Sequence, residues 1–120
     1  MNMPFSESIP IVLDKPRNLL FTAYSLFWLS KIYEDPHEPF QFMGKMSIIG
    51  NQIKMNYETQ KKFYDVLTAG LVHEDEGLTP EYLMKNMPLT GVSESLIAIA
   101  QAIKTQFTQR AENEAKENPQ

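Results

Sequence analysis

The sequence predicts a mainly α fold: a small helical domain of about four to five helices with a short N-terminal β-hairpin. Three observations lead there. The first is the run LLFTAYSLFWLSKIY, Leu19 to Tyr33, apolar or aromatic everywhere except Thr22, Ser25, Ser30 and Lys31. A bilayer span needs about 20 continuous apolar positions, so this shorter run, ending in Lys31 and acids, is a core segment that other elements must cover. The second is the recurrence of large apolar residues at helical spacing in two later segments, around Phe63–Val72 and Val92–Phe107. The third is the β-branched stretch Ile9–Leu13 followed by Asp14-Lys15-Pro16, which is strand and turn chemistry.

At 120 residues the chain fits one domain, for which we expect a flexible N-terminus over 1–8, a helical domain over 9–109 and a polar tail over 110–120. In the hairpin, strands Ile9–Leu13 and Arg17 to about Phe21 flank the turn, with Pro10 at an edge or a start. Thr22 caps a first helix of about Ala23–Tyr33, which ends before the Glu34-Asp35-Pro36-His37-Glu38-Pro39 loop because residues ahead of proline leave the helical region. Phe40 to Ile53 reads as a short or broken helix, since Gly44 and Gly50 each cost about 1 kcal/mol against alanine. Asn56 caps the next helix, with Glu58 in its first turn, and Gly70 within it points to close contact with another element. Thr79-Pro80-Glu81 starts a short helix that Pro88 stops, and Val92, Leu96, Ile99, Ala100, Ile103 and Phe107 form one face of the last. The predicted core is Leu20, Tyr24, Phe27, Trp28, Phe63, Leu67, Leu96, Ile99 and Ile103, with Trp28 largely buried. The tail beyond Arg110 is either an exposed helical extension or disordered.

Chemistry is harder to find. The chain has no cysteine, which removes thiolate ligands, disulfides and a cysteine nucleophile. His73-Glu74-Asp75-Glu76 is too short and poorly spaced for a calcium loop and reads as a solvated connection between helices, with His73 at a helix C-terminus; His37 reads as an exposed loop residue. No phosphate loop or nucleophile elbow is present, so we expect no catalytic residue, no metal and no cofactor. The formal charge is −4 and only Lys61 and Lys62 are adjacent, which argues against nucleic acid as a partner. The N-terminal stretch shows no signal-peptide pattern, and neither it nor the Leu19–Tyr33 run reads as a membrane segment.

The order of elements carries a resemblance. A short extended piece ending in LDKPRNLLFTAYSLFWLSKIY, then a helix running into LTAGLVHEDEGLTPEYLMKNM, then an amphipathic helix, resembles the tail assembly chaperones of long-tailed bacteriophages and prophages over about Ile9 to Phe107. Its most specific part is Leu67 to Leu83, and its least typical is Phe40 to Ile53. The resemblance implies a non-enzymatic protein of the bacterial host cytoplasm, absent from the mature virion, that binds and solubilises the tape-measure protein and helps recruit tail-tube subunits. It also implies a longer frameshifted product in many members. The alternative is a structural minor tail or neck protein retained in the virion. Candidate partner contacts are Phe40, Phe42, Met43 and Met46, because the glycine-interrupted segment is least committed to the core and methionine adapts to varied surfaces. Self-association through the unpaired edges of the N-terminal hairpin, or through the neighbours of the first helix, is a further expectation.

Overall fold

The computed structural model describes residues 8–49 and 56–108. In these, two strands and five α-helices follow in order: β1 (Ile9–Val12), β2 (Pro16–Leu19), α1 (Ala23–Ser30), α2 (His37–Ile49), α3 (Tyr57–Ala69), α4 (Pro80–Asn86) and α5 (Gly91–Ala102), which runs on into a π-helical segment, Ile103–Thr108. The mainly helical fold with one N-terminal antiparallel hairpin is thus the predicted class. The expected flexible start and polar tail, and the stretch of the second helix from Gly50 to Ile53, lie outside the described residues.

The hairpin pairs Ile9 with Leu19, Pro10 with Asn18, Ile11 with Arg17 and Val12 with Pro16. Asn18 turns its main chain away from β1: its N–H donates to Glu74 Oε1 at 2.9 Å, and its carbonyl accepts from His73 Nε2 at 2.8 Å. Pro10–Asn18 is therefore a non-hydrogen-bonded pair, and so, two residues on, is Val12–Pro16. Both prolines sit where the ladder needs no N–H. The second strand stops at Leu19, two residues before the expected Phe21, because the next amides are claimed elsewhere: Leu20 N–H donates to the Gly70 carbonyl at 2.9 Å and Phe21 N–H to Gln106 Oε1 at 2.8 Å. The outer edge of β2 is thus closed by the 70–74 stretch, which removes that edge from the expected self-association.

Thr22 caps α1 as predicted, in a reciprocal box with Ser25: Thr22 N–H donates to Ser25 Oγ at 3.0 Å. The helix ends three residues before the expected Tyr33, with the Ile32 and Tyr33 amides both returning to the Leu29 carbonyl at 2.9 and 2.8 Å. Helix α2 starts at His37, ahead of the expected Phe40. Asp35 accepts the amides of His37, through its side chain, and Glu38, through its carbonyl, both at 3.0 Å. The preference of a pre-proline residue for extended backbone is overridden at Glu38 because Pro39, in the first turn, needs no intrahelical N–H and is buried in the core. Gly44 lies inside the helix without breaking it.

Helix α3 has its predicted cap, Asn56 Oδ1 accepting Thr59 N–H at 2.8 Å, and is buried continuously from Phe63 to Ala69. Gly70 is its C-cap rather than an interior residue, and the close contact expected of it is real. A methyl built there would overlap Leu19 Cδ1 and approach Phe21 Cε1 to 2.9 Å. Helix α4 starts at Thr79-Pro80 as predicted, Thr79 Oγ1 accepting Tyr82 N–H at 3.1 Å. The last helix, expected as one piece, widens to π geometry at Ile103, in the segment that carries the buried Gln106 beneath Phe21.

The core gathers Leu19, Leu29, Phe63, Leu67, Leu71, Leu83 and Ile99. Of the predicted core residues, Leu20, Phe63, Leu67 and Ile99 are buried, while Leu96, Ile103 and Trp28 are half-buried, packed against it. The expectation that Trp28 is largely buried is corrected accordingly: it flanks the core rather than filling it. Tyr24 and Phe27 are a larger correction, since both are exposed.

Candidate functional site

Of the predicted contact residues, Phe40 and Met43 are buried, and Phe42 is half-buried. Phe40 stands edge-on to Phe21, centroids 4.8 Å apart at 82°. Lys62 Nζ lies 4.3 Å from the Phe42 ring centre and pairs with Glu38 at 2.8 Å and Glu58 at 3.5 Å. The Glu38 hydrogen bond, foremost, holds the Lys62 ammonium above its ordinary range. The earlier start of α2 is the reason: it places Pro39, Phe40 and Met43 on the inward face, so Phe40 and Met43 form no free surface. The side chain of Met46 lies outside the described residues.

The exposed apolar surface is on α1 instead, and the helix is inside out. Its two buried residues are Ser25 and Leu29, one turn apart, while Phe27 is 57% exposed and Tyr24 38%. The inward serine follows from what α1 meets. Ser25 Oγ donates to the Ala69 carbonyl at 2.7 Å, beside Gly70, so two small side chains let α1 close on the end of α3. The remaining large side chains have to go to the flanks or outward. Tyr24 and Phe27 stack with centroids 6.0 Å apart at 23°, and Lys31 Nζ lies 4.9 Å from the Phe27 ring centre. Ile32 is exposed as well. The sequence signal for this was the T-x-x-S spacing, which fixes Ser25 at the third helical position, and the i, i+4 relation of Ser25 to Leu29.

The polar clusters are structural ties. Arg17, 4% exposed, holds Asp14 through Nε at 2.7 Å and Nη2 at 2.8 Å, and Asp75 through Nη1 at 3.2 Å. These Arg17 bonds, chiefly, keep the Asp14 carboxyl well below the usual carboxylate range against the opposing effect of burial. The acidic loop expected to be solvated is exposed at Glu74, Glu76 and Gly77, and it also clamps β2 through His73, Glu74 and Asp75. Tyr33 donates to Asp65 Oδ2 at 2.7 Å, and Lys61 pairs with the same oxygen at 2.9 Å. Burial first, then the Asp65 bond, raises the Tyr33 phenol above its ordinary range. Among the described residues no buried side-chain nitrogen or oxygen lacks a partner, no group of three His, Asp or Glu is placed to hold a metal, and no helix is long and apolar enough to cross a membrane.

The chain matches no known family model, no curated protein and no solved structure in the three comparisons made.

Proposed function

We propose that this is a non-enzymatic binding protein of the tail assembly chaperone kind, which covers apolar helical segments of a tape-measure protein in the cytoplasm of a bacterial host and helps bring tail-tube subunits to it. One observation carries the reading: α1 buries a serine and presents a stacked tyrosine and phenylalanine outward. Folding gains the buried Ser25 bond from that orientation but little from the two outward rings, whereas a partner's apolar side chains would gain contact area from both. The candidate contacts accordingly move from Phe40, Phe42, Met43 and Met46 to Tyr24, Phe27 and Ile32, with Lys31 beside them.

The size of the surface suits the role. Each aromatic side chain offers about 150–250 Å², so the exposed fractions of two rings and their neighbours come to a few hundred Å², below the roughly 800 Å² per partner of a durable interface. Each copy would then hold weakly and release readily, and the coverage of a long partner would come from many copies side by side.

Co-expression with the tape-measure protein of the same genome tests this. The wild-type chain should keep that protein soluble and co-purify with it, and the Tyr24→Ala/Phe27→Ala double variant should lose both properties while remaining folded. Because the contact is apolar, raising salt from about 50 to 500 mM should change retention little, although that range shortens charge screening severalfold. Wild-type protein that leaves the partner insoluble ends the chaperone reading. Its presence in purified virions at fixed copy number would make it a structural tail or neck component.

A further inference from the structure

The hairpin's two edges are treated differently, and the open one lies along a groove. Among the described residues, the outward main-chain groups of β1, namely the Pro10 carbonyl and the Val12 N–H and carbonyl, have no partner, whereas both of those of Asn18 on β2 are taken, by Glu74 and His73. Beside β1 runs a groove of about 300 Å³ whose far wall is one face of α5, Glu94, Ile97 and Gln101. Val12 and Ile97 stand on its rim, 64% and 67% exposed, and Ile11 lies along the β1 wall. A strand edge facing an apolar slot is the geometry of strand addition, in which main-chain bonds supply affinity and alternate side chains fill pockets.

We propose that this groove takes an extended segment of another protein as a third strand antiparallel or parallel to β1, with apolar side chains at alternate positions and one lysine or arginine. The cation follows from charge: among the described residues, Glu94 is the one acidic or basic side chain lining the groove. A second copy of β1 is a poor occupant. In a two-fold antiparallel pairing that uses Pro10, this residue faces Pro10 or Val12 of the other copy, and it has no N–H to give the carbonyl of either. A foreign segment with an ordinary residue opposite Pro10 donates there and exchanges both bonds with Val12. This site is separate from the α1 surface and stands or falls independently of it.

The test is a titration of the isotope-labelled full chain with the blocked peptide Thr-Val-Lys-Val-Thr-Val, followed by amide shifts and hydrogen exchange. In the free protein the Val12 amide should exchange fast; at saturating peptide it should slow at least about tenfold, with shifts confined to 9–12 and 94–101. Ile97→Lys, at an exposed position, should weaken binding at least about tenfold. Val12→Pro should do the same, because it removes the edge amide without touching the β1–β2 ladder. Replacing the peptide's lysine by glutamate should weaken binding severalfold. No shift at millimolar peptide, or equal binding to both variants, overturns the proposal. So does a Val12 amide already protected in the free chain: protection lost on dilution would assign the edge to a second copy, and protection that persists would assign it to the chain's own residues 1–7.

Discussion

Helices α1 and α3 reverse what their compositions suggest. The stretch AYSLFWLS carries one of the highest apolar contents in the chain, yet only Ser25 and Leu29 are buried; YETQKKFYDVLTA is half polar, yet everything from Thr68 back to Phe63 is inside. The difference lies in position. Helix α3 packs against α1, α2, α4 and α5, so its second half is enclosed by neighbours and even Asp65 and Thr68 must be buried with partners. Helix α1 has one main neighbour, α3, with Leu26 and Trp28 packed against the margin of the core. How much of a helix is buried is set by how many neighbours it has, and composition decides only what is left showing.

Substitutions across the two helices would sharpen or break this contrast. The largest effect belongs to Phe63→Ala, which should cost about 3–5 kcal/mol in denaturant unfolding because Phe63 is fully buried in the enclosed half of α3 and the cavity cannot collapse. Next comes Ser25→Ala. The loss of the bonds to the Ala69 carbonyl and from the Thr22 amide should cost about 1–2 kcal/mol, more than the truncation of any larger side chain on the outer face of α1. A smaller effect is expected at the join. Tyr33→Phe, which leaves Asp65 with Lys61 alone, should cost about 1 kcal/mol. Since the folded-state phenol is raised above its unfolded value, the wild-type contribution is complete below about pH 10 and declines as pH rises further. The wild-type advantage over Tyr33→Phe, measured between pH 8 and 11, should shrink at the alkaline end. The smallest is Phe27→Ala, which should change stability by less than about 0.5 kcal/mol. A loss there of more than 2 kcal/mol would mean that Phe27 belongs to the core, and the contrast would fail.

Much of the fold was legible because its signals are local. Thr22, Asn56 and Thr79-Pro80 each mark a helix start by side-chain chemistry that operates within one turn, and the Asp14–Pro16 turn follows from proline and aspartate alone. What escaped was decided across the fold. The order of greasiness placed Tyr24 and Phe27 in the core, but the Ala69 carbonyl, far along the chain, takes the bond of the Ser25 hydroxyl, and that turns Ser25 inward and the two rings outward. The same holds for α2, where the core's use of Pro39 overrides the pre-proline rule at Glu38. Of the candidate site, the idea of an adaptable apolar surface could be drawn from composition, but the residues forming it could not, since exposure depends on which neighbour arrives first. The acidic loop is half legible for a related reason: Glu74 and Glu76 are exposed, as a solvated loop requires, but the bonds of Glu74 and Asp75 to β2 show only once that strand lies beside them.

The placement of the two hairpin prolines also restricts how the chain can misfold. Sliding β1 by one residue along β2 would turn its inward side chains outward and move Pro10 into a ladder position that requires an N–H it does not possess, and turning β2 over instead would do the same to Pro16. Slipping by two would keep the faces but leave four-residue strands with only half their pairing. Two residues that merely seem tolerated in the native hairpin thus remove its nearest competitors, so the two short strands have one register that retains the whole ladder.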